Sequence, residues 1–285
     1  MSQDKPSPSR GVARGDTTSW WGVLDVPRER TFALEVGPLS LEIERRAHEW
    51  RLRHREESSA SDDRLTRGLV ESREVDLPPD AASDSRKLEG SGWDRILRIG
   101  AESASAPLEA VALTADRPVV TVPVNPFLIP PRASLLLFVS TPLWLGIERE
   151  GERLFEVPIS RPRDTWVGAQ TGPGQAAYAN RTQCRQDLEE LPFRPHRAVS
   201  PIQVTNRSGD AFPLEHLVLS VPFLSLYQGK QGLIWTERIE VTIDAGIDSE
   251  IRFEAPAEAG QAHQISTRRS EPPSGRLGQM LASVF

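Results

Sequence analysis

Twenty-four prolines are spread through the 285 residues of this chain, in stretches such as TVPVNPFLIPPRAS, STPLW, VPISRP and LPFRPHRAVSP. An interior proline removes an intrahelical hydrogen bond and its ring clashes with the preceding turn, so almost no window is left in which a three-turn helix could propagate. Between the prolines the apolar residues recur at period two. In LEVGPLSLEIERRAHEWRLRH, Leu34 and Val36, then Leu39, Leu41 and Ile43, then Trp50 and Leu52 alternate with polar residues, as half-buried strands require. The parity changes across Gly37-Pro38, which reads as a turn or bulge, and RRAHE reads as a hairpin tip.

Further strands are predicted near 93–99, 108–115, 117–124, 133–140, 143–149, 153–159, 176–185, 198–206, 214–221, 233–243 and 249–254. Many short antiparallel strands joined at Pro and Gly point to an all-β fold, an antiparallel β-sandwich with Val, Ile and Leu on the inner faces. Two sandwich lobes are expected, 19–160 and 161–250, with one elongated sandwich as the rival arrangement. The longest apolar run, LLLFVSTPLWLGI from Leu135 to Ile147, is too short for a membrane helix and is interrupted by Ser140, Thr141 and Pro142. It reads as two buried strands with a kink between them.

Three segments lie outside the expected core. Residues 1–18 form a polar tail, 55–92 a flexible acidic, serine-rich insert, and 255–285 a tail of similar composition. Such segments bury too little apolar surface to offset the entropy of ordering. At the end of the last one, Leu277, Met280, Leu281 and Val284 share one face of a short C-terminal helix.

The composition bounds the function. A net charge of −6 argues against a nucleic-acid partner, since a dedicated binder carries a basic surplus to replace phosphate counterions. Cys184 is the one cysteine, which excludes an internal disulfide and a multi-cysteine zinc site. The first residues, MSQDKPSPSRGVARGD, lack the apolar run of a secretory signal, so a soluble, cytoplasmic protein is expected, and the sequons at Asn180 and Asn206 read as chance.

Catalytic motifs are missing. GAQTGPG lacks the Lys-Ser/Thr and the strand-loop-helix setting of a phosphate loop. HEWRLRH has Leu52 where a zinc protease needs its second histidine, and His196, His216 and His263 are scattered, so no metal and no cofactor is expected. No nucleophile elbow occurs, and Cys184 reads as a small hydrophobic strand residue. Of the seven tryptophans, Trp20, Trp50, Trp93, Trp144, Trp166 and Trp235 fall in alternating strands and are expected in the sandwich core.

One cluster stands out. Between 160 and 200 the chain places Arg161, Arg163, Arg181, Arg185, Arg194, His196 and Arg197 against Asp164, Asp187, Glu189 and Glu190, with Trp166 and Tyr178 interleaved. Guanidinium forks suit carboxylate or phosphate oxygens, and the aromatics suit an apolar portion. Arg161, Arg163, Asp164, Trp166, Tyr178, Arg181, Arg185, His196 and Arg197 are thus the candidate site for an anion or partner. The competing reading is that the four carboxylates already pair with these cations and tie loops onto the sheet.

The succession SWWG, VGPLSLEIERRAHEWRL, DRPVVTVPVNPFLIPP, LLLFVSTPLWLGIE, SRPRDTWVG, YANRT, DLEELPFRPHRAVSPIQVTN and VPFLSLY resembles a prokaryotic family, domain of unknown function 432, from about Trp20 to Ile243. The resemblance implies kinship without a catalytic residue, and through gene neighbourhood it points to a mechanosensitive channel as partner. The leading expectation is a non-enzymatic accessory module that binds a protein or an anionic small molecule. The alternatives are a hydrolase or carbohydrate-active enzyme whose carboxylates converge only in the fold, and a subunit associated with a membrane channel complex.

Overall fold

Successive side chains of an extended backbone point to opposite faces, so alternating apolar residues commit a segment to a strand with one face turned inward. The computed structural model describes residues 19–28, 30–46, 49–57, 63–70, 95–98, 106–168, 174–182, 184–229, 232–244 and 249–272. Among these the chain is all-β and largely antiparallel, with three short 3-10 turns, and its strands form four sheets. The expectations for 1–18, for 58–62 and 71–92 within the acidic insert, for Trp93 and His48, and for the C-terminal helix lie outside the described residues.

The five-stranded sheet has the order β5 (Leu65–Val70), β2 (Arg30–Val36), β3 (Leu39–Arg45), β4 (Glu49–Glu56), β6 (Arg95–Arg98). Phe32, Leu34, Val36, Leu39, Leu41, Ile43, Trp50 and Leu52 fill its inner face. Its outer face carries cross-strand ion pairs such as Arg53 with Glu42. The parity change at Gly37-Pro38 is a two-residue hairpin loop, since Val36 and Leu39 are register partners and both point inward. β3 and β4 pair antiparallel as the next hairpin, where the Arg46 N–H donates to the Glu49 carbonyl at 2.9 Å.

The ten-stranded sheet is built around β10 (Ser134–Arg149), one continuous strand where a kinked pair was expected. The interruption in the sequence is a change of partners. Residues 134–142 of β10 pair with β14 (Arg197–Asn206), whereas 143–148 pair with β7 (Leu108–Thr114) and 144–149 with β11 (Glu152–Pro158). Pro142 sits at the handover, where a missing N–H is tolerated. Ser140 and Thr141 are buried or half-buried cross-links. Thr141, Ser200 and Thr236 join their hydroxyls in series at 3.2 and 2.9 Å, all of them almost completely buried. On the other side Arg197 donates to Ser140 Oγ at 2.6 Å and to Asn180 Oδ1 at 2.8 Å.

The remaining strands extend this sheet on both sides. β1 (Gly22–Leu24) lies outside β7, β18 (Ile234–Thr236) and β19 (Arg238–Ile243) run parallel to β14, β20 (Ser249–Glu254) follows β19, and β17 (Leu226–Gln228) and β21 (His263–Ser266) follow β18. Two smaller sheets complete the fold. One has the order β12 (Arg163–Val167), β13 (Gln175–Thr182), β8 (Val119–Pro123), β16 (Leu217–Leu219), and the other pairs β15 (Phe212–Leu214) with β9 (Phe127–Ile129).

Two large buried clusters result. One packs the five-stranded sheet against Leu108, Ala110, Leu143, Leu145, Ile147 and Val157. The other packs Leu137, Val139, Ile202 and Val204 against Val119, Tyr178, Leu217 and Leu219. β10 contributes to both. Each fully buried Leu, Ile or Val favours folding by about 1.5–3 kcal/mol.

Two polar stretches form strands where the composition predicts flexible segments. β5 lies inside the expected insert and pairs along its whole length with β2, while Arg67 donates to the Trp21 and Val23 carbonyls. β21 lies inside the expected C-terminal tail. Just beyond it Arg269 donates to the Thr114 carbonyl at 2.6 Å and to Glu156 at 2.7 Å. In both cases edge pairing and side-chain to backbone bonds supply what apolar burial does not. No helix among the described residues is long and apolar enough to cross a membrane.

Candidate functional site

Within RPRDTWVGAQTGPG, Arg163–Val167 form β12, which pairs antiparallel with β13 at the edge of the four-stranded sheet, and residues 169–173 lie outside the described residues. The register sets Asp164 opposite Tyr178 and Trp166 opposite Ala176. Arg161 lies just before the strand and reaches Asp164 Oδ2 at 3.2 Å. A second guanidinium, Arg117, comes from the turn between β7 and β8 and lies 3.4 Å from Asp164 Oδ1 and 3.7 Å from Asp116. It also stacks over the Tyr178 ring at 5.4 Å. The Tyr178 hydroxyl donates to Asp116 Oδ1 at 2.8 Å. Burial, then the bond to Asp116 and its charge, push this hydroxyl up to about 12, against the opposing pull of Arg117 and Arg161. At neutral pH Tyr178 is therefore a proton-bearing brace, unsuited to act as a base.

Trp166 departs from the expectation that the tryptophans are core. Trp20, Trp50, Trp144 and Trp235 are buried, but Trp166 is 66 % exposed. Its ring is nevertheless seated, because a Cβ on Gly174 would stand 1.6 Å from the indole Nε1. One part of the ring lies on bare backbone while the rest faces solvent. Arg163, two residues before Thr165 on the same edge strand, is exposed and has no carboxylate partner among the described residues.

The other candidates lie apart from this group. Arg185 pairs with Glu190 at 3.0 Å and bridges through its backbone to Phe138. Arg197 turns inward to Ser140 and Asn180. His196 is buried, its ring packed against Gly37. Arg181 stands opposite Val122 in the ladder, and its side chain lies outside the described residues. The structure therefore groups Arg161, Asp164, Trp166 and Tyr178 on one face of the hairpin, leaves Arg163 on the opposite face of β12, and adds Asp116 and Arg117, which no motif singles out. A turn 47 residues upstream of Asp164 leaves no local signal of its meeting with the hairpin.

Two guanidiniums, Arg117 and Arg161, share Asp116 and Asp164 on one face of β12, and Arg163 adds a positive charge on the opposite face of the same edge strand. The ion pairs are long and solvent-exposed, so they are weak and readily exchanged for a bound carboxylate. Among the described residues no group of three His, Cys, Asp or Glu side chains is placed to hold a metal. Cys184 is buried, and burial pushes its thiol up to about 12, far from the range of a nucleophile.

No curated protein and no solved structure matches this chain. One family model matches residues 20–281, from the first buried tryptophan to beyond the last described strand, and on that match the chain belongs to the family described as Protein of unknown function (DUF432).

Proposed function

We propose that the protein is a non-enzymatic binding module that holds an extended, acidic segment of a partner protein along the edge strand β12. The observation that carries this reading is Trp166, a tryptophan seated on Gly174 yet two-thirds exposed. A large aromatic side chain that is fixed before binding loses little entropy on contact, which is why such residues dominate interface energetics. Two further features support the reading. An edge strand offers backbone donors and acceptors for strand addition, and Arg163, exposed on that strand with no carboxylate partner among the described residues, supplies a positive charge that an acidic segment complements.

The test is selection of a random displayed-peptide library on the intact protein. The expected result is enrichment of peptides with Asp or Glu beside an apolar or aromatic residue. Trp166→Ala and Arg163→Ala should each weaken binding of the selected peptides by about tenfold or more, while the melting temperature stays within about 5 °C of wild type. Enriched peptides without acidic residues, or binding indifferent to both substitutions, would overturn the reading. So would a melting temperature that collapses in Arg163→Ala, because the hairpin would then be a brace.

A further inference from the structure

A cleft of about 780 Å³ lies on the outer face of β7, β10 and β11, beneath the segment that follows β21. It is separate from the β12 edge. Typical small-molecule sites enclose roughly 300–1,000 Å³, so the volume suits an organic ligand. Val111, Leu113 and Ile265 give the cleft an apolar floor.

The roof is anchored. The backbone N–H groups of Arg269 and Ser270 both donate to the Pro222 carbonyl, at 2.9 and 3.1 Å, while the Arg269 side chain grips Thr114 and Glu156. The wall is also set in place, since Arg153 lies across Gly146, where a Cβ would stand 3.0 Å from its Nε. A cleft whose roof and wall are held by their own bonds stays open without a ligand.

Among the described residues lining the cleft, the charges are closely paired except at Arg268. Arg153 pairs with Glu148 and with Glu156, and Arg269 pairs with Glu156. Arg268 also lines the cleft, and its carboxylate partner is Glu271, at 3.5 Å and 83 % exposed. A carboxylate so exposed and so distant competes poorly with a bound anion. The apolar floor and Arg268, the most weakly paired cation among the described residues of the cleft, together define the ligand class.

We propose that this cleft binds an amphiphilic organic monoanion, its apolar body on Val111, Leu113 and Ile265 and its carboxylate on Arg268. Octanoate and its neutral counterpart 1-octanol are suitable probes in calorimetric titration of the full chain. Octanoate is expected to bind one-to-one and more tightly than octanol. Arg268→Gln should weaken octanoate by about tenfold and bring it to the level of octanol, whereas Arg268→Lys, which keeps the charge, retains most of the affinity. Val111→Trp, which fills the floor, should abolish binding of both probes. Trp166→Ala should leave octanoate binding unchanged, which separates this site from the β12 edge. Failure of octanoate to bind, equal affinity for octanol, or indifference to Arg268→Gln would each overturn the proposal.

Discussion

Gly37 answers to two constraints at once. Its φ of +53° lies in the left-handed region that favours glycine, and a Cβ there would stand 2.4 Å from His196 Nδ1. The turn is legible in the sequence as Gly-Pro, but the histidine ring above it is not. Gly37→Ala should therefore cost more than backbone strain, about 2–4 kcal/mol in chemical denaturation. Gly151→Ala, at φ +81° with open space around it, should cost only about 1–2 kcal/mol. Equal costs at the two positions would show that the His196 contact is yielding. The Cys184 thiol ordinarily ionises near 9, and in the folded chain burial raises it to about 12. The neutral form is the one the fold accommodates, so its stability contribution is complete below pH 9 and is lost as pH rises toward 12. Tyr178, raised from 10 to about 12, adds to the same alkaline loss. Melting temperature should begin to fall near pH 9 in the wild type, and the onset should move up by about one pH unit in Cys184→Ala. An unchanged onset would contradict this assignment. The two sequon asparagines show how little a short motif says alone. Asn206 is fully buried, its amide donating to the Ile129, Pro130 and Asp210 carbonyls, and Asn180 links Thr121, Ser140 and Arg197.

Strands with strict alternation are legible as sequence because the pleat is a local property, and β2, β3 and β4 fall where the apolar residues place them. β10 is less transparent. Ser140, Thr141 and Pro142 break its apolar run, and the broken run reads as two strands, yet all three residues serve one strand that changes partners at that point. Their roles depend on Ser200, Thr236, Asn180 and Arg197, which arrive from other strands. β5 and β21 are illegible for the opposite reason. Edge strands bury one face incompletely and draw stability from the ladder and from Arg67 and Arg269, so their composition resembles that of a flexible segment.

At the scale of the whole molecule, the two large clusters share β10, with Leu137 and Val139 in one and Leu143, Leu145 and Ile147 in the other. Unfolding either cluster strips one half of that strand of its neighbours. A single calorimetric transition is therefore expected, with calorimetric and van't Hoff enthalpies in agreement. Two resolved transitions would instead mean that 19–160 and 161–250 melt separately. What the sequence determined by itself was the all-β class, the period-two strands and the turn at Gly37-Pro38. These follow from proline's missing N–H, from the pleat and from glycine's conformational range, all of which act within a few residues. The tertiary structure alone decided that Trp166 stays exposed, that Arg197 and His196 turn inward, that Asp116 and Arg117 join Asp164 and Tyr178, and that Arg268 borders a cleft floored by Val111, Leu113 and Ile265. Those outcomes depend on which edges meet and in what register, and such meetings join residues too far apart in the chain for any local pattern to record them.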